Sequence, residues 1–247
     1  TAMDAITTGD ANTAFGNSAL GALTTGGRNT SVGQESMLTT STGEKNTAIG
    51  YNALKLNATT SNNTAVGHTA LSNNIASDNI AIGYNAAQSN TTGTRNIAIG
   101  VQAYDGSDTE NDNLAIGYQA MTADTAGGTG NVAVGNYALD ALTSGDANVA
   151  IGKDALTAAT TGGTNTAVGY EALATMTTAT RNTAVGKSAL QNATGSFNTA
   201  VGSASLENNS TGAQNVAVGD YTLNANTTAS FNTALGQGAM LVNTTGA

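Results

Sequence analysis

A nine-residue phrase, written NTAVGYEAL at residues 165–173, recurs in similar form fourteen times in this chain of 247 residues. Its leading asparagines lie 17 residues apart, apart from two spacings of 16 and one of 18. When Asn is counted as position 1, position 3 is Ala in thirteen copies and position 5 is always Gly. Helical-repeat pairs and propeller blades need roughly 33 to 50 residues, so this unit is too short for either. The period instead predicts one coil of a β-solenoid per repeat.

Two residue types mark every copy, and both are predicted to have structural roles. The position-1 residues are Asn12, Asn29, Asn46, Asn63, Asn79, Asn96, Asn113, Asn131, Asn148, Asn165, Asn182, Asn198, Asn215 and Asn232. The position-5 residues are Gly16, Gly33, Gly50, Gly67, Gly83, Gly100, Gly117, Gly135, Gly152, Gly169, Gly186, Gly202, Gly219 and Gly236. Because glycine tolerates positive φ, we expect the glycines to turn the chain.

The asparagines are predicted to form a ladder along the stack. Coils of a solenoid lie about 4.8 Å apart, so identical side chains lie above one another. An Asn amide can then donate to the copy above and accept from the copy below. Asp would stack like charges, and an apolar residue would forgo the hydrogen bonds. The alternative is that Asn only favours a left-handed turn conformation.

The residues after Asn alternate between large and small. Position 2 is Thr, Ile, Val or Leu and position 4 is Val, Ile, Leu or Phe, whereas positions 3 and 5 are small. A strand period of two puts positions 2 and 4 on one face. We expect that face, with Leu or Met at position 9, to fill the interior of the coil. The Ala-Gly face is expected to approach another backbone, and the frequent Thr-Thr-Gly at positions 13 to 15 to make the opposite turn.

The predicted fold class is therefore all-β: a parallel β-solenoid, or β-roll, of about 14 coils with 17 residues per coil. The repeats form a single uninterrupted array over residues 1–247. Neither end reads as the atypical capping repeat that a solenoid normally has over its open strand edges. The array is accordingly expected to be a segment of a longer fibre.

Composition excludes several classes of function. The net charge is −9, with only seven Lys and Arg residues, which argues against binding a nucleic-acid backbone. The chain contains no stretch of about eighteen apolar residues, so insertion into a membrane is not predicted. The chain has no Cys, Trp or Pro and only 9% charged residues, which is unlike an ordinary globular enzyme.

Few residues suggest chemistry. The single histidine, His68, occupies position 6, which varies between copies, and is interpreted as a surface residue. Asp105, Asp108, Glu110 and Asp112 form a locally acidic turn that could bind Ca²⁺. The glycine-rich pattern of calcium-binding β-rolls does not occur, so a solvated acidic turn is preferred. We predict no catalytic, cofactor-binding or metal-binding residue, and no enzyme activity.

Position 6 also carries tyrosine in several copies. These residues are Tyr51, Tyr84, Tyr118 and Tyr170. They could form a contact stripe for sugar or protein, or they could be ordinary surface variation.

The phrase NTAVGYEAL followed by Thr-Thr-Gly every 17 residues resembles the repeat arrays of phage tail fibres and related bacterial surface proteins. It is also similar in style to the head repeats of trimeric autotransporter adhesins. The resemblance covers the whole chain and implies a left-handed, homotrimeric β-roll. Two departures are that the autotransporter repeat is usually shorter, and that nothing here resembles the chaperone domain that often follows the phage arrays.

The face of small residues also favours a homotrimer. A long face of small residues is expected to be packed against other copies, and three chains around one axis would bury it. The alternative is a monomeric solenoid whose Ala and Gly face water at little cost.

Two functions follow from these expectations. The first is a fibre shaft of an extracellular, cell-surface or virion appendage that displays a receptor-binding tip or mediates attachment to a host receptor. Its fourteen coils would extend roughly 65 to 70 Å. The second is a module that binds an ordered surface, such as an ice-binding or glycan-binding β-solenoid. Thermal hysteresis in a freezing assay would support the ice-binding version, although the Thr pairs are interrupted in several copies.

Overall fold

The computed structural model describes residues 1–106, 109–123 and 128–244 and confirms the predicted parallel β-solenoid. Each repeat contributes one three-residue strand at positions 2 to 4, and the described residues contain no helix. The strands β1 to β14 are Thr13–Phe15, Thr30–Val32, Thr47–Ile49, Thr64–Val66, Ile80–Ile82, Ile97–Ile99, Leu114–Ile116, Val132–Val134, Val149–Ile151, Thr166–Val168, Thr183–Val185, Thr199–Val201, Val216–Val218 and Thr233–Leu235. None of the described residues belongs to a helix that could cross a membrane.

The chain forms two compact units, Thr1–Ala126 with β1 to β7 and Gly127–Ala247 with β8 to β14. Within each unit, every strand pairs in parallel with the next strand along the chain. The register is one repeat per coil, so that Ala167 of β10 lies opposite Ala150 of β9 and Ala184 of β11. Equivalent residues of successive repeats therefore lie in columns.

Hydrogen bonds between coils continue beyond the short strands. Around the tenth repeat, the backbone N–H of Thr166 donates to Asn182 O at 2.8 Å, and that of Gly169 donates to Ile151 O at 2.8 Å. The N–H of Leu173, five residues past the strand, donates to Ala189 O at 3.1 Å. Hydrogen bonds thus join the turns of successive coils as well as their strands. This explains how strands of only three residues can hold the stack together.

The position-5 glycines have φ between 113° and 144°, so their predicted positive φ is confirmed. Their second role is close packing along the stack. A Cβ built on Gly100 would lie 2.2 Å from the carbonyl oxygen of Gly117 in the next coil. Only a residue without a side chain fits this column. The close approach is between successive coils of one chain and not, as the sequence suggested, towards another chain.

Three further positions adopt the left-handed conformation in nearly every repeat, mostly with residues other than glycine. In the tenth repeat they are Glu171, Leu173 and Arg181, at positions 7, 9 and 17, with φ of 55°, 53° and 58°. This conformation costs an L-residue roughly 1–2 kcal/mol. The N–H groups of all three donate to neighbouring coils, at 3.1 to 3.3 Å. Bonding between coils therefore offsets the local strain.

The interior of each coil is thin. The alanines at positions 3 and 8 and the Leu or Met at position 9 are buried in nearly every repeat, as Ala167, Ala172 and Leu173 are in the tenth. The expected inward direction of position 9 is confirmed. Most of the core is therefore alanine, with one or two larger side chains in most coils.

We predict that Gly100→Ala destabilises the fold by about 3 kcal/mol, because its Cβ would meet a backbone carbonyl and its φ of 140° is unfavourable for alanine. Urea denaturation followed by circular dichroism measures the change. Gly21→Ala is the control, since its Cβ would have Ser18 O at 3.3 Å as its nearest neighbour. Equal stability of the two variants would contradict the role given to the glycine column.

Candidate interaction surface

The two strand faces are oriented opposite to the sequence-based prediction. In the third repeat, Ala48 at position 3 is fully buried, whereas Ile49 at position 4 is 41% exposed. The same alternation holds from β2 to β14, with a buried central residue between partly or fully exposed neighbours. The prediction that positions 2 and 4 fill the interior is wrong.

The reason is the volume inside a coil. The interior already holds the position-9 side chain, the position-1 asparagine and the residue at position 12, as Leu173, Asn165 and Met176 do in the tenth repeat, all fully buried. Interiors pack closely and tolerate little excess volume. Alanine is therefore the side chain that fits on the inner face of the strand, and the branched residues point outwards.

We call the residues at positions 2 and 4 of all repeats the outer strand face. No charged residue occupies either position in any copy. Its position-4 members are Phe15, Val32, Ile49, Val66, Ile82, Ile99, Ile116, Val134, Ile151, Val168, Val185, Val201, Val218 and Leu235. Each unit therefore presents a continuous column of apolar side chains that none of its own elements covers.

Charged and polar residues flank this face. Position 17 precedes it and carries Arg28, Lys45 and Arg181 among others, while position 6 follows it and carries Lys153 and Lys187 in the second unit. An uncharged apolar centre with a polar rim is the usual anatomy of a protein–protein contact. The outer strand face is thus the best candidate for an interaction surface.

Aromatic rings extend the surface at position 6 in the first unit. The His68 ring lies between those of Tyr51 and Tyr84, with centroid distances of 5.1 and 5.4 Å. Rings stacked along a column cover each other's faces and leave mainly their edges open. This arrangement suits contact with a protein side chain better than stacking against a sugar.

The position-1 asparagines line one inner corner of the coil, and their amides bond differently from the ladder that the sequence suggested. The Oδ1 of Asn165 accepts the backbone N–H of Asn182 at 2.9 Å, and its Nδ2 donates to Ala179 O at 2.9 Å. A direct amide-to-amide bond from Asn165 Nδ2 to Asn148 Oδ1, at 3.1 Å, accompanies them. Most bonds of the column thus join side chain to backbone, and direct amide pairs occur only in some coils.

Sequence reasoning missed a second column of buried asparagines, at position 12. Its members, which are buried in two separate groups of coils, are Asn57, Asn74, Asn90, Asn209 and Asn226. Two adjacent pairs bond directly: Asn90 Nδ2 donates to Asn74 Oδ1 at 2.9 Å, and Asn226 Nδ2 donates to Asn209 Oδ1 at 2.7 Å. Because other copies have Leu, Met, Ala, Thr, Ser or Asp at position 12, the repeat pattern alone could not reveal this column.

The sequence suggested a solvated acidic turn, but the described residues of this turn are not uniformly exposed to solvent. Glu110 is only 4% exposed, and Asp112 forms an ion pair with Arg95 on the surface. Partial burial raises the pKa of the Asp105 carboxyl, against hydrogen bonds from Gln102 and the Gln88 backbone. Asp108 lies outside the described residues. The described residues contain no cluster of three His, Cys, Asp or Glu side chains that could hold a metal ion.

Comparison with known proteins yields no family match, no matching curated protein and no matching solved structure.

Replacing a ladder asparagine by aspartate is predicted to destabilise the fold. Asn165→Asp removes two donors and puts an uncompensated carboxylate beside Asn148 Oδ1 and Ala179 O, which costs about 3 kcal/mol at neutral pH. Burial would raise the folded-state pKa of the new carboxyl, so the deficit should shrink on acidification. Urea denaturation at pH 7 and pH 4 measures it. Asn17→Asp, at an exposed site, is the control, and a pH-independent or absent deficit for Asn165→Asp would contradict the role of the amide.

Neutralising Asp105 is predicted to have the opposite effect. Because its pKa is raised in the folded state, its ionised form opposes folding once the pH exceeds that pKa. Asp105→Asn should therefore raise the melting temperature at pH 7, with no gain near pH 3. The pKa of Asp112 is lowered by its hydrogen bond to Arg95, so Asp112→Asn should slightly lower the melting temperature at pH 7. Changes of the same sign in both variants would contradict this assignment.

Proposed function

We propose that this chain is the shaft of an extracellular or virion fibre, such as a tail fibre or an adhesin, in which three copies pack side by side through the outer strand face. The observation that carries the proposal is the uncharged apolar column, present in every repeat and uncovered in each unit. Soluble monomers rarely leave contiguous apolar patches of more than a few hundred Å² exposed. A partner that repeats with the same period would cover it evenly, and a second copy of this chain has that period.

The size of the outer strand face supports self-association. Seven strands at a spacing of about 4.8 Å, two side chains wide, give each unit a face of roughly 350 Å². Its burial would contribute about 9 kcal/mol before the costs of association, which are themselves about 4–15 kcal/mol. Burial of the face of one unit therefore roughly balances the free-energy cost of association, and burial of the faces of both units exceeds it. A chain with more repeats would associate more tightly.

The form of the face supports a threefold arrangement. It is two side chains wide, so around a threefold axis along the stack position 2 of one copy would meet position 4 of its neighbour. Every copy of the chain would then have the same environment, as closed cyclic symmetry requires. Homotrimeric packing is also what the resemblance to adhesin heads implies. The partner surface is the outer strand face and not the Ala-Gly face that the sequence suggested.

The coil-to-coil bonding supports the role of a spacer. Each repeat adds one coil through the same columns of glycine, asparagine and backbone hydrogen bonds, so the number of repeats sets the length. In this proposal the shaft joins flanking segments of the same fibre and holds a receptor-binding tip away from its base. The host surface that carries the receptor would then be the partner of the whole fibre.

Lysines on the outer strand face are predicted to dissociate the trimer. The double variant Ile49→Lys and Ile82→Lys replaces residues that are 41% and 39% exposed, so each chain should tolerate the change when alone. In the trimer, the six ammonium groups would lie near the axis, where burying unpaired charge is costly. Sedimentation velocity should show a shift from three chains to one.

Leu56→Lys and Ile75→Lys form the matched control. These residues are 42% and 52% exposed but lie at positions 11 and 13, on another side of the coil. The control variant should sediment as the unchanged chain does. Equal behaviour of the two double variants would mean that the outer strand face is not the contact.

A further inference from the structure

A second surface feature lies on the turn that precedes the strands of the second unit. The side chains at position 16 point outwards, and most copies have Ser, Thr, Asp or Asn there. Gly163 interrupts this column between Asp146 and Thr180. The gap opens a cleft of roughly 440 Å³ whose wall includes Arg181 and Phe197. Its volume falls in the range of small-molecule sites.

Several polar groups at this cleft have hydrogen-bonding capacity to spare. Asp146 Oδ1 accepts the backbone N–H and the hydroxyl of Thr129, at 2.8 and 3.1 Å, which leaves Oδ2 open. The hydroxyls of Thr161 and Thr180 form no hydrogen bond within the described part of the chain. Arg181 makes no ion pair there either, unlike Arg95, which is paired with Asp112.

An aromatic ring supplies the apolar side of the cleft. Phe197 is 49% exposed, and the guanidinium carbon of Arg181 lies 5.4 Å from its ring centroid. A cation over an aromatic ring is held in place by the ring's electron density, so this contact restrains Arg181. The cleft thus combines one apolar wall with donors and acceptors around the rim.

These groups define the chemistry of a ligand. Asp146 and the net charge of −9 disfavour an anion, while Arg181 disfavours a cation. Arg181 can donate, Asp146 can accept, and the two threonine hydroxyls can do either. A ligand that fits is neutral, carries several hydroxyl groups and has one apolar face. We propose that the cleft at Gly163 binds a neutral pyranose ring of a glycan, with its hydroxyls on Arg181 and Asp146 and its C–H groups against the part of the Phe197 ring that Arg181 leaves exposed.

Gly27 shows that a glycine at position 16 is not sufficient for such a site. The Oδ1 of Asp10 lies 2.8 Å from where a Cβ on Gly27 would be, so a carboxylate fills the corresponding gap. Position 17 there is Arg28, followed by Lys45 one coil on, and no aromatic residue lies in this stretch of the column. The first unit therefore offers a control in which a glycine at position 16 has an arginine nearby but a carboxylate in the gap and no aromatic ring.

The glycan site goes beyond the proposed shaft and does not depend on it. All its residues belong to one chain and one unit, so a second copy is not needed to form it. A monomeric mass would overturn the trimer and leave the cleft intact, whereas loss of sugar binding would leave the shaft intact.

Titration of the full chain with the methyl pyranosides of glucose, galactose and mannose and with N-acetylglucosamine, followed by NMR, tests the proposal. At least one should bind with a Kd on the order of 1 mM, the weak affinity expected of an open site and a single ring. The ring protons of Phe197 should shift, and those of Phe15 and Phe231 should not. Absence of binding by all four sugars would overturn the proposal.

Two variants locate the site. Gly163→Ser introduces the residue that Ser61, Ser77, Ser196 and Ser230 supply at this position, and its Cβ would lie 3.1 Å from Asp146 O, so the coil should keep its fold while the cleft fills. Gly163→Ser and Arg181→Gln should each weaken sugar binding at least tenfold. Arg28→Gln should leave it unchanged. Binding that survives Gly163→Ser, with circular dichroism unchanged, would contradict the assignment.

Discussion

The narrow interior of each coil is the constraint on which the rest of the structure depends. Almost every repeat must fit one large side chain at position 9, one asparagine and one residue at position 12 between walls of backbone, as Leu156, Asn148 and Ala159 do in the ninth repeat. Little volume remains, so the strand and the opposite turn contribute alanine. Since a strand alternates its side chains, small residues inside force the branched residues outside. The apolar outer strand face is thus a direct consequence of a thin core.

The same thinness explains why backbone hydrogen bonds and asparagine amides matter so much. A core that is mostly alanine buries little apolar area per residue, so the hydrophobic contribution of each coil is small. The coils compensate through bonds that run around the whole circuit, including residues such as Leu190 and Phe197 held at positive φ. In this fold the columns of Gly and Asn therefore stabilise the stack of coils and are not variable surface positions.

Much of the architecture could be predicted from the sequence, because the period of 17 and the constant Asn and Gly define one coil per repeat. The direction of the strand faces could not. The alternation of side chains along a strand indicates that Thr166 and Val168 share a face. Whether that face is the inner or the outer one is decided by the volume available inside the coil. Left-handed residues such as Leu173 were also hidden, because leucine gives no signal of positive φ. The cleft at Gly163 depends on position 16 pointing outwards, and the burial of Asn74 and Asn90 depends on position 12 pointing inwards. Neither direction can be read from the residue types alone.

In the proposed fibre shaft, the thin core turns the outer strand face into a contact between copies of the chain. Light scattering after size exclusion measures the absolute mass of the unmodified chain in solution. A trimer would give a mass near three times the 24.2 kDa of one chain. A mass of one chain at micromolar concentration would contradict it, because the apolar columns of both units would then remain exposed to water.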